Sequence, residues 1–333
     1  MTLFRIAVFF TLGVAAFTGC SLVDDNTSDC EADHKLTYEL KLVTNMTTEI
    51  KTELQTTLST ALELQAATAL TNHLKGIFTD YAHDVDLSFY DVAGDSLRLH
   101  HESHIMDANE SSYTLYIPVR RYVHLAMANT ADNDAVGVIG DDFCHTATLH
   151  QETKDTIASH KTGIYTARLP MDIQEGADQS FDVHLYMVNC AEAVLVDTTG
   201  SKVKNIKAVA SGFATDFVIC DSLWRYDFSP VVRMETVDLG SSTEGLCFCG
   251  VNFPSKQPTK AGSGLWRIKL YSEMPDGTVT ETVLSLTTPL VPGQLRIIKT
   301  KAQPNGSVQP GDPTVGVSVT LNWNEGMNQE IEL

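Results

Sequence analysis

VGVSVTLNW (residues 315–323) alternates without a break. Val315, Val317, Val319, Leu321 and Trp323 fall on one side of an extended chain; Gly316, Ser318, Thr320 and Asn322 fall on the other. Successive side chains of a strand point to opposite faces, so this stretch predicts a strand with one face in a core and one in solvent. The same grammar runs backwards through the chain. LWRIKLYS (265–272) and TVTETVLSL (278–286) flank Met274-Pro-Asp-Gly277, which carries turn chemistry. LRIIKTK (295–301) follows Val291-Pro-Gly-Gln294, which fits a type II turn with Pro292 and Gly293 at its centre. Upstream lie VKNIKAVASG (203–212), ATDFVI (214–219), PVVRMETV (230–237) and LCFCGVNF (246–253).

An earlier series has the same character: LTYELKLV (36–43), VDLSFYD (85–91), SLRLHHESH (96–104), SYTLYIPV (112–119), YVHLAMAN (122–129), GIYTARL (163–169) and FDVHLYMVN (181–189). Short β-branched and aromatic runs separated by Gly, Asn and Asp predict antiparallel sandwiches. DTTGSKVK (197–204) is polar, and the expected boundary between two domains lies there, giving residues 35–198 and 199–333. One segment breaks the pattern. From Thr47 to Tyr81 apolar residues recur three or four apart (Ile50, Leu54, Leu58, Ala61, Leu62, Ala66, Ala69, Leu70, Leu74, Ile77, Phe78), with no Pro and no Gly before Gly76. That spacing predicts one long helix over 47–78, capped by Thr47 or Thr48, its stripe packed on a sheet.

The N-terminus has its own logic. Arg5 precedes the apolar run Ile6–Phe17, and Thr18, Gly19 and Cys20 follow. A basic start, a short apolar run and small residues at its end describe a secretory signal peptide over 1–19. The run is too short to span a membrane as a helix, which takes about 20 apolar residues. Phe17-Thr-Gly-Cys20 resembles a bacterial lipobox, with Phe17 where Leu is usual, so Cys20 is the expected lipidation site. SLVDDNTSDCEAD (21–33) is polar and acidic without periodicity and reads as a tether, placed at residues 20–34. Fully extended, it reaches about 50 Å.

The whole chain carries 42 acidic and 23 basic residues, a net charge of -19. A surface this acidic argues against nucleic acid and anionic lipid as partners, since both require basic patches. Apart from Cys20, the cysteines are Cys30, Cys144, Cys190, Cys220, Cys247 and Cys249. An exported chain permits disulfides, and sequence does not choose their pairing. Cys247-Phe-Cys249 sits in an apolar strand where residues two apart share a face, so buried or separately bridged cysteines are expected rather than a metal or redox motif.

His100, Glu102 and His104 share one face of a strand and have the residue types of a metal chelate; polar residues on a solvated face explain them as well, and no metal site is assigned. Cys144, His145 and His150 supply nucleophile and base types, but nothing orients them. Nucleophile-elbow, phosphate-loop and dinucleotide motifs are absent, so no catalytic residue and no cofactor are assigned and the chain is not read as an enzyme. Trp224, beside Tyr226 and Phe228, is the one aromatic cluster with the makings of a glycan platform.

The order of features carries a resemblance. Lipobox, acidic tether with Ser28-Asp-Cys30, VDLSFYDVAGDSL (85–97), PLVPGQLRIIKTK (289–301) and VGVSVTLNWNEG (315–326) together are similar to the fimbrillin-associated anchor lipoproteins of Bacteroidetes, base subunits of type V fimbriae. The resemblance implies an all-β fold of two tandem transthyretin-like Greek-key sandwiches, with the helix as a departure. It further implies an outer-membrane lipoprotein, exposed on the cell surface through lipid on Cys20, that anchors a fimbria by strand-addition contacts with a shaft subunit. The sandwich beside Leu36–Val43 is the expected receiving groove. The alternative function is a surface glycan-binding lipoprotein.

Overall fold

The computed structural model describes residues 33–43, 60–78, 82–93, 96–105, 112–131, 133–152, 155–175, 179–228, 230–240, 244–258 and 264–321. Four sheets and one helix account for the described chain. The largest sheet holds β1 (Asp33–Val43), β2 (Asp84–Asp91), β3 (Arg98–Ile105), β4 (Ser112–Pro118), β5 (Arg121–Ala128), β9 (Tyr165–Asp172) and β10 (Gln179–Met187), in the order β3-β2-β5-β9-β10-β1-β4. A small sheet, β14-β13-β7-β6, joins β6 (Val136–Ile139) and β7 (Thr148–Gln151) to β13 (Asp216–Val218) and β14 (Leu223–Arg225). A five-stranded sheet runs β16-β17-β11-β20-β21, from β11 (Cys190–Asp197), β16 (Glu235–Val237), β17 (Gly245–Asn252), β20 (Leu295–Ala302) and β21 (Val308–Pro310). The last, β22-β19-β18-β12-β15-β8, comprises β8 (Thr156–Ala158), β12 (Asn205–Ser211), β15 (Val231–Arg233), β18 (Trp266–Glu273), β19 (Val279–Leu286) and β22 (Gly316–Thr320).

The five-stranded sheet is the middle layer. Ala191, Ala193, Leu195, Cys247, Cys249 and Val251 on one face join the core under the largest sheet. Cys190, Val194, Val196, Phe248 and Ile298 on the other face join the core under the six-stranded sheet. A strand buried on both sides reads as a continuous apolar run instead of alternating, and β11 and LCFCGVNF (246–253) do so. The small sheet closes part of the largest sheet's outer face, where Tyr90, Leu125 and Met127 meet Leu149, Phe217 and Phe253. Pairing crosses the expected boundary near residue 198. β7 pairs with β13, β8 runs parallel to β15, and among the described residues β11 pairs with β17 and β20 alone.

The helix, α1 (Ala61–Ile77), lies between the largest and middle sheets, burying Ala66, Leu70, Leu74 and Ile77. Each fully buried Leu contributes about 1.5–3 kcal/mol. It is shorter than expected. Thr60 is extended (φ -113, ψ 159) and caps it, its hydroxyl accepting from the Glu63 amide while the Glu63 carboxylate accepts from the Thr60 amide at 2.9 Å. A continuous helix over 47–78 is therefore broken at Thr60, because a reciprocal capping box terminates helical dihedrals; residues 47–59 lie outside the described residues. The start of α1 sits tightly against β17, where a side chain at Gly245 would run into Leu62. Among the described residues, no helix is long and apolar enough to cross a membrane.

Candidate functional site

The core between the middle and six-stranded sheets is open on one side. Among the described residues β22 is an edge strand that pairs with β19 alone, Val317 opposite Leu284 and Val319 opposite Thr282. Directly opposed residues share a face. Leu284 is fully buried, so Val317 and Val319 also point inward. They are not covered: Val317 is 41% exposed, Val319 37% and Leu321 54%. The expectation of a buried row at 315–323 is thus corrected; only Val315 packs against the core, while Trp323 lies outside the described residues. The physical reason is the facing sheet's width, since the middle layer ends at the three-residue β21.

That facing edge is itself incomplete. β21 pairs with β20 only from Thr300 to Ala302, and the Gly311 amide takes the Lys299 carbonyl at 2.9 Å. Among the described residues, no strand pairs with the outer side of β20 at Leu295–Ile298. Beside this edge is a groove of about 390 Å³, with Trp266 and Leu286 among its apolar lining and Arg296, Ile298 and Val315 around it. Unpaired main-chain groups and an uncovered apolar row on an edge strand are each a template for an added strand. Covering the half-exposed Val317, Val319 and Leu321 is worth about 2–4 kcal/mol together, at about 1.5–3 for a fully buried side chain.

The expected groove beside Leu36–Val43 is not of this kind. β1 is an interior strand, parallel to β10 from Leu36 to Val43 and antiparallel to β4 from Asp33 to Glu39. Among the described residues the sheet's edges are β3 and β4. Cys20, the expected lipidation site, and Cys30 lie outside the described residues.

The remaining candidates divide between packing and surface. Trp224 is half-buried, stacked on Phe217 at 4.2 Å and tilted against Phe253 at 5.3 Å, so much of its ring is committed to the third core. Trp266 is 1% exposed, its indole N–H donating to the Thr288 carbonyl at 2.9 Å. His100 and His104 do share a face with Glu102, and each donates Nε2–H to a different carboxylate oxygen, at 2.7 and 2.9 Å. Cys247 and Cys249 are buried in the same core, as expected, and burial pushes both thiols upward. The five described cysteines are free thiols. Of Cys144, His145 and His150, none acts on another: His150 Nδ1 donates to Asp216 at 2.6 Å, and His145 Nδ1 donates to Asp221 at 3.0 Å. Cys144 is buried, and burial with the neighbouring Cys220 thiol drives its ionisation far upward, the reverse of a primed nucleophile.

Sequence reasoning missed the middle layer's one buried charge-bearing group. Glu192, on β11, is fully buried, and both its carboxylate oxygens accept from Asn252 Nδ2 at 2.9 Å. Burial raises it to about 8, against the opposing pull of Asn252 and its own backbone. A side chain at Gly250 would collide with it, which explains the glycine in Cys249-Gly-Val251. The acid was visible in CAEAV (190–194) as a break in an apolar run.

No family model matches the sequence, and no curated protein matches it. Solved structures do. A candidate adhesin from Bacteroides ovatus superposes with a TM-score of 0.51 at 14% identity, covering 89% of this chain and 99% of that one. A candidate polysaccharide-binding protein from Bacteroides thetaiotaomicron gives 0.50 at 10% identity, over 86% and 95%. The fimbrial anchor protein Mfa2 from Porphyromonas gingivalis gives 0.48 at 12% identity, over 87% and 99%. At these identities the first two establish a shared all-β fold.

Proposed function

We propose that this chain is an outer-membrane lipoprotein, acylated at Cys20, that holds the base of a fimbria by accepting an extended segment of a shaft subunit. The uncovered row Val317, Val319 and Leu321 on the edge strand β22, together with the stretch of β20 at Leu295–Ile298 that no described strand pairs with, carries the reading. An incoming strand there would complete the sheet through main-chain hydrogen bonds and seat alternate side chains against the row, which sets register as well as affinity. The N-terminal features supply the other requirement, attachment through lipid, since each buried CH₂ adds about 0.8 kcal/mol. The fold shared with a candidate Bacteroides adhesin supports a place among surface attachment proteins. In this reading the chain folds as two transthyretin-like sandwiches whose boundary the β7–β13, β8–β15 and β11–β17 pairings cross, and the protein has no catalytic role and no nucleic-acid partner. Glycan binding, suggested by the description of the B. thetaiotaomicron structure, needs a free aromatic platform, and Trp224 is largely committed to packing.

The test is a cell-surface assay of Val317→Asp/Val319→Asp with Cys20 intact. Surface labelling should show normal amounts of the protein while fimbriae are shed into the medium. Fimbriae that stay attached would overturn the assignment of the acceptor row to β22. Retained attachment together with loss of polysaccharide pull-down in Trp224→Ala would favour the glycan reading.

A further inference from the structure

Two dipeptides far apart in sequence converge at one end of the small sheet. Cys144-His145 lies in the β6–β7 loop and Cys220-Asp221 in the turn between β13 and β14. Pairing of β7 with β13, Thr148 opposite Val218, lays the two loops side by side, and the Ile219 amide extends the ladder to the Ala147 carbonyl at 3.0 Å. Ser222 holds a left-handed backbone (φ 51) that reverses the chain directly after Asp221. The outcome is a cluster of three different donors. A ring nitrogen of His145, Cys220 Sγ and an Asp221 carboxylate oxygen all lie within 4.8 Å of one another, and among the described residues no other group of three does so.

We propose that His145, Cys220 and Asp221 bind a zinc ion that staples the β6–β7 loop to the β13–β14 turn. Zinc takes imidazole, thiolate and carboxylate at about 2.0–2.3 Å, which sets tetrahedral ligand separations near ~3.5 Å. The cluster already has that scale, with Nδ1 and Oδ1 at 3.0 Å. A sulfur and a nitrogen in the set rule against calcium and magnesium, which take oxygen. His145 and Asp221 are exposed and Cys220 is buried, so water has access to a fourth position while the thiol anchors the ion from the protein side. Binding would exchange the Cys220 S–H bond for a zinc–sulfur bond, with the proton released to solvent, and move the His145 ring proton from Nδ1 to Nε2. Cys144, buried in the same core as Cys220, would be placed to donate its S–H to the metal-bound sulfur, a supporting role.

The reduced full-length chain, stripped with chelator, is titrated with zinc against a chromogenic competitor and separately with cobalt. One zinc per chain is expected, with a thiolate-to-cobalt charge-transfer band, one proton released and a raised melting temperature. His145→Ala, at an exposed position that should not disturb folding, should weaken binding by about tenfold or more, and Cys220→Ser should abolish the charge-transfer band. His100→Ala should leave stoichiometry unchanged, which separates this cluster from the histidines on β3. Absence of the cobalt band, equal binding by His145→Ala and the parent chain, or a Cys144–Cys220 disulfide in peptide maps of the exported protein would each overturn the assignment.

Discussion

Glu192→Gln should convert a pH-dependent middle layer into a pH-independent one. The carboxyl is fully buried between β11 and β17 and is raised from 4.5 to about 8, burial being the dominant cause. Between those values the folded protein keeps a proton that the unfolded chain releases, so the folded state binds more protons and stability falls as pH rises. The contribution is complete below pH 4.5 and gone above about pH 8. Each pH unit in that window is worth about 1.4 kcal/mol, so the loss is about 3 kcal/mol by pH 7 and about 4–5 above pH 8. Gln has the same shape, can accept from Asn252 and does not ionise. Urea unfolding at pH 5 and pH 8.5 measures the difference. The variant should match the parent at pH 5 within about 1 kcal/mol and exceed it by several kcal/mol at pH 8.5. Parallel stability profiles for the two proteins across that range would refute the reasoning.

His124 and His160 act in the opposite direction. Burial lowers them from 6.5 to about 4 and about 3, with the Ser88 carbonyl partly opposing the shift in His124, so they hold the folded state only while neutral. Below pH 6.5 each costs about 1.4 kcal/mol per pH unit; with Glu192 they place maximum stability near pH 6.5, which a denaturation series at fixed ionic strength would show or exclude. Gly245→Ala forces a methyl into Leu62 and should lift the first turn of α1 from β17 at a cost of about 1–3 kcal/mol; thermal melts check the size, and hydrogen exchange confined to residues 61–66 checks the place. Cys20→Ala should abolish incorporation of labelled palmitate and release the protein from membranes, and continued labelling would refute lipidation at that thiol.

The features legible in the sequence are those fixed by near neighbours. Met274-Pro-Asp-Gly277 does turn β18 into β19, with Gly277 at φ 82 and the Met274 amide bonded to the Thr278 carbonyl at 2.8 Å. Val291–Gln294 closes its turn with the Gln294 amide on the Val291 carbonyl at 3.1 Å and Gly293 at φ 76. The start of α1 was also written locally, in Thr60-Ala-Leu-Glu63, but the apolar stripe running through it from Ile50 masked the stop. What could not be read depends on distant partners. Alternation in Val315–Trp323 says which side chains share a face, not whether a facing sheet is wide enough to cover them. The interior position of β1 depends on a parallel partner, β10, with most of the first series between them. His145 and Asp221 are 76 residues apart, and only the β7–β13 ladder makes them neighbours.

The interior placement of β1 has a mechanical corollary. A tug on the chain ahead of Asp33, directed along the strand, cannot unzip β1 one rung at a time as it could a strand at a margin. It must slide the strand lengthwise between β10 and β4, straining eight registered pairs on one flank and seven on the other at once. Rungs loaded together share the force, so this end of the molecule is built to withstand a steady pull from whatever holds its leading segment.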